Sequence, residues 1–232
     1  MPYKIIASHA GEKLLSAVIA DLNVQPAAVL FIEIEIPAHT KIDLIDDLAQ
    51  SVFSKIEMRF IVREYATLTY KLREIAGLVD DAIGSRATVI ERVLTCVLAG
   101  KNAHADMRCL YFGDAARLFK VKTHQEHVAG NATSNVVVKA VLTDEARLTC
   151  NSMISVAPGA NGTNAEQVNK NILLSRKARA VSIPMLEVLA NDVKCKHGAA
   201  VSRLDDEQMF YLQSRGLGVE QTKSMLLEAF LS

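Results

Sequence analysis

From about residue 66 onward, the chain repeats one pattern, in which a small residue, here called an opener, precedes a short run of alternating apolar and polar side chains. Such runs include ARLFKVKT, ATSNVVVKAVL and ARLTCNSMISV. An alternation of period two is typical of a β-strand that buries one face. The openers are spaced at roughly 13 to 21 residues, with a last gap of about twice that, and they are Ala66, Ala87, Ala103, Ala116, Ala132, Ala146 and Ala178. Recurring short strands are typical of a parallel β-solenoid and also of an antiparallel β-sandwich, so the rhythm alone leaves both folds open.

Other segments extend the strand pattern toward the N-terminus. In AAVLFIEIEIPA, isoleucine alternates with phenylalanine and glutamate, and KIEMRFIV puts Ile56, Met58 and Phe60 on one face. The stretches ATLTYKL and ATVIERVLTCVL predict two further strands. Before all of these, GEKLLSAVIADL (residues 11–22) spaces its apolar side chains as a helix does. It predicts a short helical lead-in within residues 1–30.

The apolar spacing becomes helical close to the C-terminus. In SRLDDEQMFYLQSRG, Asp205 followed three residues later by Gln208 is typical of a capping box, and Gly216 is placed to end the helix. The next stretch, VEQTKSMLLEAFLS, has the spacing of a second amphipathic helix. The sequence therefore predicts a mainly β core over residues 1–202 and a short α-helical segment over residues 203–232.

Charge and apolar patterning argue against several classes of partner. Lys plus Arg number 26 and Asp plus Glu number 26, whereas a nucleic-acid-binding protein usually has a basic excess. No apolar run approaches the ~18 residues of a membrane helix, and the N-terminus lacks the apolar centre of a signal peptide. We therefore expect a cytoplasmic protein that binds neither nucleic acid nor membrane. The four cysteines are expected to be free thiols or ligands, with Cys96, Cys109 and Cys150 in the core and Cys195 considered below.

Motifs of common catalytic sites are missing from the sequence. It contains no GxxxxGKS or GxxxxGKT phosphate loop, no GxSxG elbow, no HExxH and no paired CxxC. We therefore expect no catalytic residues and no nucleotide bound by this chain.

Four blocks in the last third of the chain match one protein family, in the same order. They are QVNKNILLS at residues 167–175, PMLEV at 184–188, NDVKCKHGA at 191–199 and LDDEQMFYL at 204–212, with a weaker match through His127, Ser134, Lys139, Val141 and Leu142. Through these blocks the chain resembles the SufB/SufD family of iron–sulfur cluster assembly proteins. SufB-like members carry a cysteine ahead of the Leu-Leu block and a His-Glu pair at the later site. This sequence has Asn169 and His197-Gly198 there, and so resembles SufD.

The resemblance implies a right-handed parallel β-helix with a short C-terminal helical segment, which favours the solenoid. It also implies a non-catalytic scaffold that pairs with a SufB-like subunit or with itself and binds SufC-like ATPases. A transient iron–sulfur cluster would form at the subunit interface, and the partner would hydrolyse ATP. The terminal helices dock the ATPase in this family, which implies contacts from Met225, Leu226, Phe230 and Leu231. Their other apolar side chains are expected to cap the end of the solenoid.

Cys195 and His197 are the candidate cluster ligands. On a strand they would face one side and Lys196 the other, and thiolate and imidazole both bind iron. The alternative is a small buried thiol and a hydrogen-bonded structural histidine. His124 and His127, in THQEH, are weaker metal candidates, because a strand would place residues three apart on opposite faces. We expect both of these histidines at the surface or at an interface.

Two other functions stay open at this point. A solenoid adaptor without metal chemistry would keep only the docking surfaces. A β-helix enzyme, such as a polysaccharide lyase, would usually be secreted, and the sequence shows no signal peptide.

Overall fold

A computed structural model describes residues 3–7, 11–16, 29–46, 55–75 and 89–232 of the chain. Within these ranges the chain forms fourteen strands followed by two helices. They are β1 (Tyr3–Ile6), β2 (Gly11–Leu14), β3 (Val29–Ile36), β4 (Lys41–Asp46), β5 (Lys55–Val62), β6 (Thr67–Ile75), β7 (Val89–Leu98), β8 (His104–Gly113), β9 (Leu118–His127), β10 (Thr133–Leu142), β11 (Arg147–Val156), β12 (Thr163–Leu173), β13 (Arg179–Val188), β14 (Val193–Ser202), α1 (Asp206–Ser214) and α2 (Val219–Leu231).

Successive strands alternate between two parallel sheets. The odd-numbered strands form one sheet in sequence order, here called the odd sheet, and the even-numbered strands form the other, here called the even sheet. Every strand pairing in the described ranges is parallel. The chain is therefore a parallel β-solenoid with two strands per coil, as predicted, and the antiparallel sandwich is wrong. Thr133 is in register with His104, 29 residues before it, and with Asn164, 31 residues after it, so one coil is about 30 residues long. Because each coil contains two strands, the small residues that open the strands recur about every half coil.

The core fills the space between the two sheets. In β5 the predicted face of Ile56, Met58 and Phe60 is completely buried, and the residues between them are half-buried. Because side chains of a strand alternate between its two faces, each coil contributes one row of side chains to the interior from each sheet. Most of these rows are aliphatic or aromatic and form one continuous cluster through the solenoid.

The turns that enter the even strands are stacked and share one backbone conformation. Each turn contains one residue with positive φ, and the backbone N–H of that residue donates to a carbonyl of the next coil. These residues are His39, Tyr65, Asn102, Asn131 and Gly162. The predicted openers Ala66, Ala103 and Ala132 follow directly and are buried, because the stacked corner leaves room for a small side chain only. At the opposite corner Ala146 and Ala178 are buried in the same way.

Two predicted openers do not fit this description. Ala116 is exposed, because the register pairs Leu118 with Arg147 and so aligns Arg117, not Ala116, with the buried Ala146. Ala87 lies outside the described residues.

The predicted N-terminal helix is wrong over its first four residues. Gly11–Leu14 is strand β2, which pairs with Ile42–Ile45 of β4 at the edge of the even sheet. Pairing with an existing strand outweighs a weak local preference for helix. Only Leu15 and Ser16 are helical, and the rest of the predicted helix lies outside the described residues.

The two C-terminal helices are confirmed, with their predicted start and stop. The Asp205 carboxylate accepts hydrogen bonds from the backbone N–H groups of Glu207 and Gln208, and so caps α1. Gly216, with φ of 95°, lies in the left-handed region just after α1. No helix among the described residues is long and apolar enough to cross a lipid bilayer. The division into a core of residues 1–202 and a separate helical segment stays a prediction.

The helices do not cap the solenoid end, contrary to expectation. The Lys139 ammonium, on the outer face of the even sheet, donates to the Phe230 carbonyl at 2.6 Å and lies 5.6 Å from the centre of its ring. Leu231 lines grooves on the same outer face beside Leu110. Helix α2 therefore lies against the side of the even sheet, and the last coil stays uncovered.

Candidate functional site

The last coil, made of β13 and β14, is the uncovered end of the solenoid. β13 pairs only with β11 and β14 only with β12, so each strand is the edge of its sheet in the described chain. Apolar side chains on both strands are largely exposed, including Val181 at 50% and Val201 at 46%. An edge strand presents unpaired N–H and C=O groups that can pair with another chain. This end therefore has the backbone and the side chains of an unfilled interface.

Cys195 and His197 lie on the inner face of β14. Their register partners on β12 are Ala165 and Gln167, whose side chains are buried in the interior. Residues in register on neighbouring strands share a face, so Cys195 and His197 both point inward and Lys196 points outward. The prediction that these two side chains face the same side is confirmed.

The two candidate ligands differ in their environment. Cys195 is half-buried, and burial raises the pKa of its thiol, while a backbone hydrogen bond from Ala165 partly offsets this increase. His197 is exposed at the open end. Because iron binds the thiolate, binding at Cys195 has to release a proton. Two groups do not complete a cluster site, and no group of three or more His, Cys, Asp or Glu side chains in the described residues could hold a metal ion.

A row of buried amides lies beside these ligands on the inner face of β12. It consists of Gln167, Asn169 and Asn171, which are at most 3% exposed. The Asn171 amide donates to Asn169 Oδ1 at 2.9 Å and to Ser182 Oγ at 3.3 Å. Two acceptor atoms of the row, Gln167 Oε1 and Asn171 Oδ1, have no hydrogen-bond partner in the described chain. This row was not predicted from the sequence, although the spacing of two residues within QVNKN is a signal that indicates it.

His124 and His127 lie on opposite faces of β9, as predicted. His124 is half-buried on the outer face, where its Nε2 lies 2.7 Å from Ser155 Oγ. His127 is completely buried, and its Nε2 lies 2.7 Å from Ser134 Oγ, so the expectation of a surface position is wrong for His127. Burial lowers the pKa of His127 to about 4. Since the strand separates the two rings, they cannot bind one ion together.

The remaining cysteines are core thiols, as predicted. Cys96, Cys109 and Cys150 are completely buried. Burial raises the pKa to about 12 for Cys96 and to about 11 for Cys150, and it raises that of Cys109 as well. These thiols are therefore protonated at neutral pH, and each is a weak nucleophile.

The terminal helices expose a different set of apolar side chains from the one predicted. Met225 is 47% exposed, whereas Leu226, Phe230 and Leu231 are half-buried. Among the described residues, the most exposed aromatic side chains are Phe210, at 74%, and Tyr211, at 61%, both on α1. These two residues were not predicted as partner contacts, because helical spacing alone does not tell which apolar side chains pack against the solenoid.

Comparison with known proteins identifies the family. The model of the family described as SUF system FeS cluster assembly, SufBD core domain, matches residues 27–230. The iron–sulfur cluster assembly protein SufD of Escherichia coli is 36% identical over 133 residues, which are 57% of this chain and 31% of that protein. A SufBD family protein of Mycobacterium leprae is 33% identical over 140 residues, 57% of this chain and 36% of its own length.

Other relatives match over more of the chain at lower identity. A SufBD family protein of Staphylococcus saprophyticus is 25% identical over 205 residues, 88% of this chain and 42% of that protein. The chain thus spans about a third to two fifths of the curated relatives it matches. With a matching family model over most of its length and the predicted solenoid fold, this chain belongs to the SufBD family of iron–sulfur cluster assembly proteins and is similar to SufD.

Proposed function

We propose that this chain is a scaffold subunit of a SUF-type complex, in which a second subunit covers the last coil and completes a cluster-binding site. One observation carries the proposal: β13 and β14 are both uncovered edges, and Cys195 and His197 lie on the inner face of that same coil. The partner is a SufB-like subunit or a second copy of this chain. Membership of the SufBD family supports a role in iron–sulfur cluster assembly. The pairing of two subunits and the shared cluster site are what we propose in addition.

The pairing would extend both sheets at once. Strands of the partner that add to β13 and β14 would satisfy the unpaired backbone groups of both edges. They would also bury the apolar side chains that are exposed on this coil, among them Val181, Ile183 and Val201. A contact of this kind holds the partner in a defined register, which is what a site shared between two subunits requires.

The assembling iron–sulfur cluster is the cargo of this interface. Clusters are held by cysteine thiolates, and histidine replaces cysteine in some of them. Cys195 and His197 would supply two ligands from this chain, and the partner would supply the others. His197 is the stronger candidate, because its imidazole is exposed at the open end, whereas the Cys195 thiol is half-buried and has a raised pKa.

The helical segment would dock a SufC-like ATPase. The exposed apolar side chains of this segment that are available to a partner include Phe210, Tyr211 and Met225. Phe230 and Leu231 are half-buried near the side of the even sheet and would contribute less than the sequence predicts. Hydrolysis of ATP would take place in that partner, so this chain is proposed as a non-catalytic subunit of a cytoplasmic complex.

Cluster content in the assembled complex tests this function. The chain would be produced with a SufB-like and a SufC-like protein and supplied with iron and sulfide without oxygen. His197→Ala should abolish the visible absorbance of the cluster and leave the thermal melt and the complex intact, and Cys195→Ser should cause a smaller loss. Lys196→Ala is the matched control, since it changes the residue between them, which points outward.

Three results would contradict the proposal. Full cluster content in His197→Ala would refute the site. A large drop in melting temperature together with the loss of cluster would identify a structural histidine instead. Failure of the chain to pair with a SufB-like protein or with itself would favour an adaptor that uses only its docking surfaces.

A further inference from the structure

Gln167 is a buried amide placed directly beside His197. The register of β12 and β14 pairs the two residues, and both side chains are on the inner face of the even sheet. Neighbouring strands are about 4.8 Å apart, which is within reach of a hydrogen bond between a glutamine and a histidine side chain. Gln167 is only 1% exposed, whereas His197 is open to the outside. The amide therefore lies just behind the imidazole, on the side away from the open end.

The amide oxygen of Gln167 has unmet hydrogen-bonding capacity. Gln167 Oε1 is buried and has no partner in the described chain. Buried acceptors are nearly always paired, and leaving one unpaired is costly, so an acceptor at this position needs a donor that the rest of the fold does not supply. A leucine or a methionine would fill the same space without that cost.

The structure does not join Gln167 Oε1 and His197 by a hydrogen bond, but a change of side-chain rotamer would let the neighbouring His197 N–H supply the missing one. In a neutral imidazole one nitrogen is a donor and the other an acceptor, and a hydrogen bond to the donor nitrogen selects the tautomer. Histidines that bind metal almost always donate their other N–H to a neighbouring acceptor in this way. The remaining nitrogen, with its lone pair, is then held toward the metal.

The other amides of the row do not compete for this role. Asn169 Oδ1 already accepts from Asn171, and the other polar atom of the Asn169 side chain is the donor Nδ2, which cannot accept the imidazole N–H. Asn171 Oδ1 is a free acceptor, but its register partner is Val201, four residues from His197 and so roughly 13 Å away along the strand. Among the three amides, only Gln167 offers a free acceptor beside the imidazole.

We propose that Gln167 is a positioning residue, which accepts a hydrogen bond from His197 and so selects the tautomer that presents a free nitrogen at the open end of the solenoid. The inference rests on the proposed function of His197 as a cluster ligand. Gln167 itself does not touch the metal. It acts through the orientation and the tautomer of the ring.

The tautomer of His197 can be measured without any cluster or partner. The full chain would be labelled with 15N-histidine, and two-bond 15N–1H spectra at neutral pH would identify the protonated nitrogen. Wild-type protein should show one dominant His197 tautomer, Gln167→Met a mixture, and Gln167→Glu, which keeps an oxygen acceptor, one tautomer again. Thr123→Val is the control, since it removes another buried polar atom that lacks a partner, in a different coil.

Cluster formation in the complex supplies the second readout. The affinity for Fe2+, titrated without oxygen into the complex, should fall by about 10- to 100-fold in Gln167→Met, as is typical for loss of a hydrogen bond to a metal ligand. Its melting temperature should stay close to that of the wild type, because an apolar side chain of similar size replaces the buried amide and the exposed His197 N–H can donate to water instead.

The outcomes separate this inference from the proposed function. An unchanged His197 tautomer in Gln167→Met would overturn the inference, whatever the cluster content. A changed tautomer with undiminished Fe2+ affinity would overturn the claim that Gln167 serves metal binding. Full cluster content in His197→Ala would refute the proposed function, while a changed tautomer in Gln167→Met would still support the hydrogen bond.

Discussion

His127 makes the stability of the fold depend on pH. Its ring is completely buried between the sheets, and the Ser134 hydroxyl, which donates to Gln125 Oε1 at 2.5 Å, must accept from His127 Nε2–H. The remaining nitrogen, Nδ1, has no partner in the described chain. Burial lowers the pKa of His127 to about 4, compared with about 6.5 in the unfolded chain. The folded state therefore holds this imidazole neutral under conditions in which the unfolded state begins to protonate it.

The sign and size of the effect follow from the two pKa values. Because the folded pKa is the lower one, the stabilisation is fully present above pH 6.5 and is lost as the pH falls toward 4. A difference of about 2.5 in pKa corresponds to about 3 kcal/mol of unfolding free energy lost by pH 4. For a chain of this size that is a shift of roughly 6–12 °C in melting temperature.

The assay compares wild type with His127→Gln, whose amide can still donate to Ser134 but does not titrate in this range. Urea unfolding at several pH values between 7.5 and 4 gives the free energy of each protein. Carboxylates titrate in both proteins, so the quantity to follow is the difference between them. We expect wild type to lose about 3 kcal/mol relative to His127→Gln over this range. A difference that stays constant across it would refute the reasoning.

Three further predictions concern the core and the surfaces. Arg92 and Glu74 form a completely buried ion pair, with 2.6 Å between Nη2 and Oε2. Arg92→Met leaves the Glu74 carboxylate without its partner and should lower the free energy of unfolding in urea by roughly 3–5 kcal/mol. A decrease of less than about 1 kcal/mol would contradict this. Replacing Phe210 and Tyr211 by alanine should weaken binding to a SufC-like ATPase by roughly 2–4 kcal/mol in calorimetry without lowering the melting temperature, and unchanged affinity would exclude this docking surface. Val201→Lys puts a charge on the uncovered coil and should abolish pairing in light scattering while the monomer stays folded; pairing as in wild type would show that this edge is not the interface.

Parts of the fold and of the site were predictable because they depend on neighbours in the sequence. The alternation in KIEMRFIV predicted both the strand and its buried face, and Asp205 and Gly216 predicted the ends of α1. The spacing of Cys195 and His197 predicted that they share a face. Each of these depends only on backbone geometry within a few residues.

Other features were not predictable, because they depend on contacts between distant residues. The helical spacing after Gly11 did not show that this segment pairs with β4. Nothing in THQEH showed that His127 is buried, since both faces of a strand look alike without the second sheet. The alternation in ATVIERVLTCVL also did not reveal that Arg92 points into the core toward Glu74.

The sequence by itself determined the period of the strands, the ends of the C-terminal helices and the membership of the SufBD family. The first two depend on local residue spacing, and the family is identified from blocks of matching sequence. Only the tertiary structure decided that Gly11–Leu14 is a strand of the even sheet, that the helices lie along the side of that sheet, and that the last coil is left open. The physical reason is that sheet pairing and packing join residues about 30 positions apart or more. Local spacing predicts which face of a strand is apolar, but not which residues that face packs against.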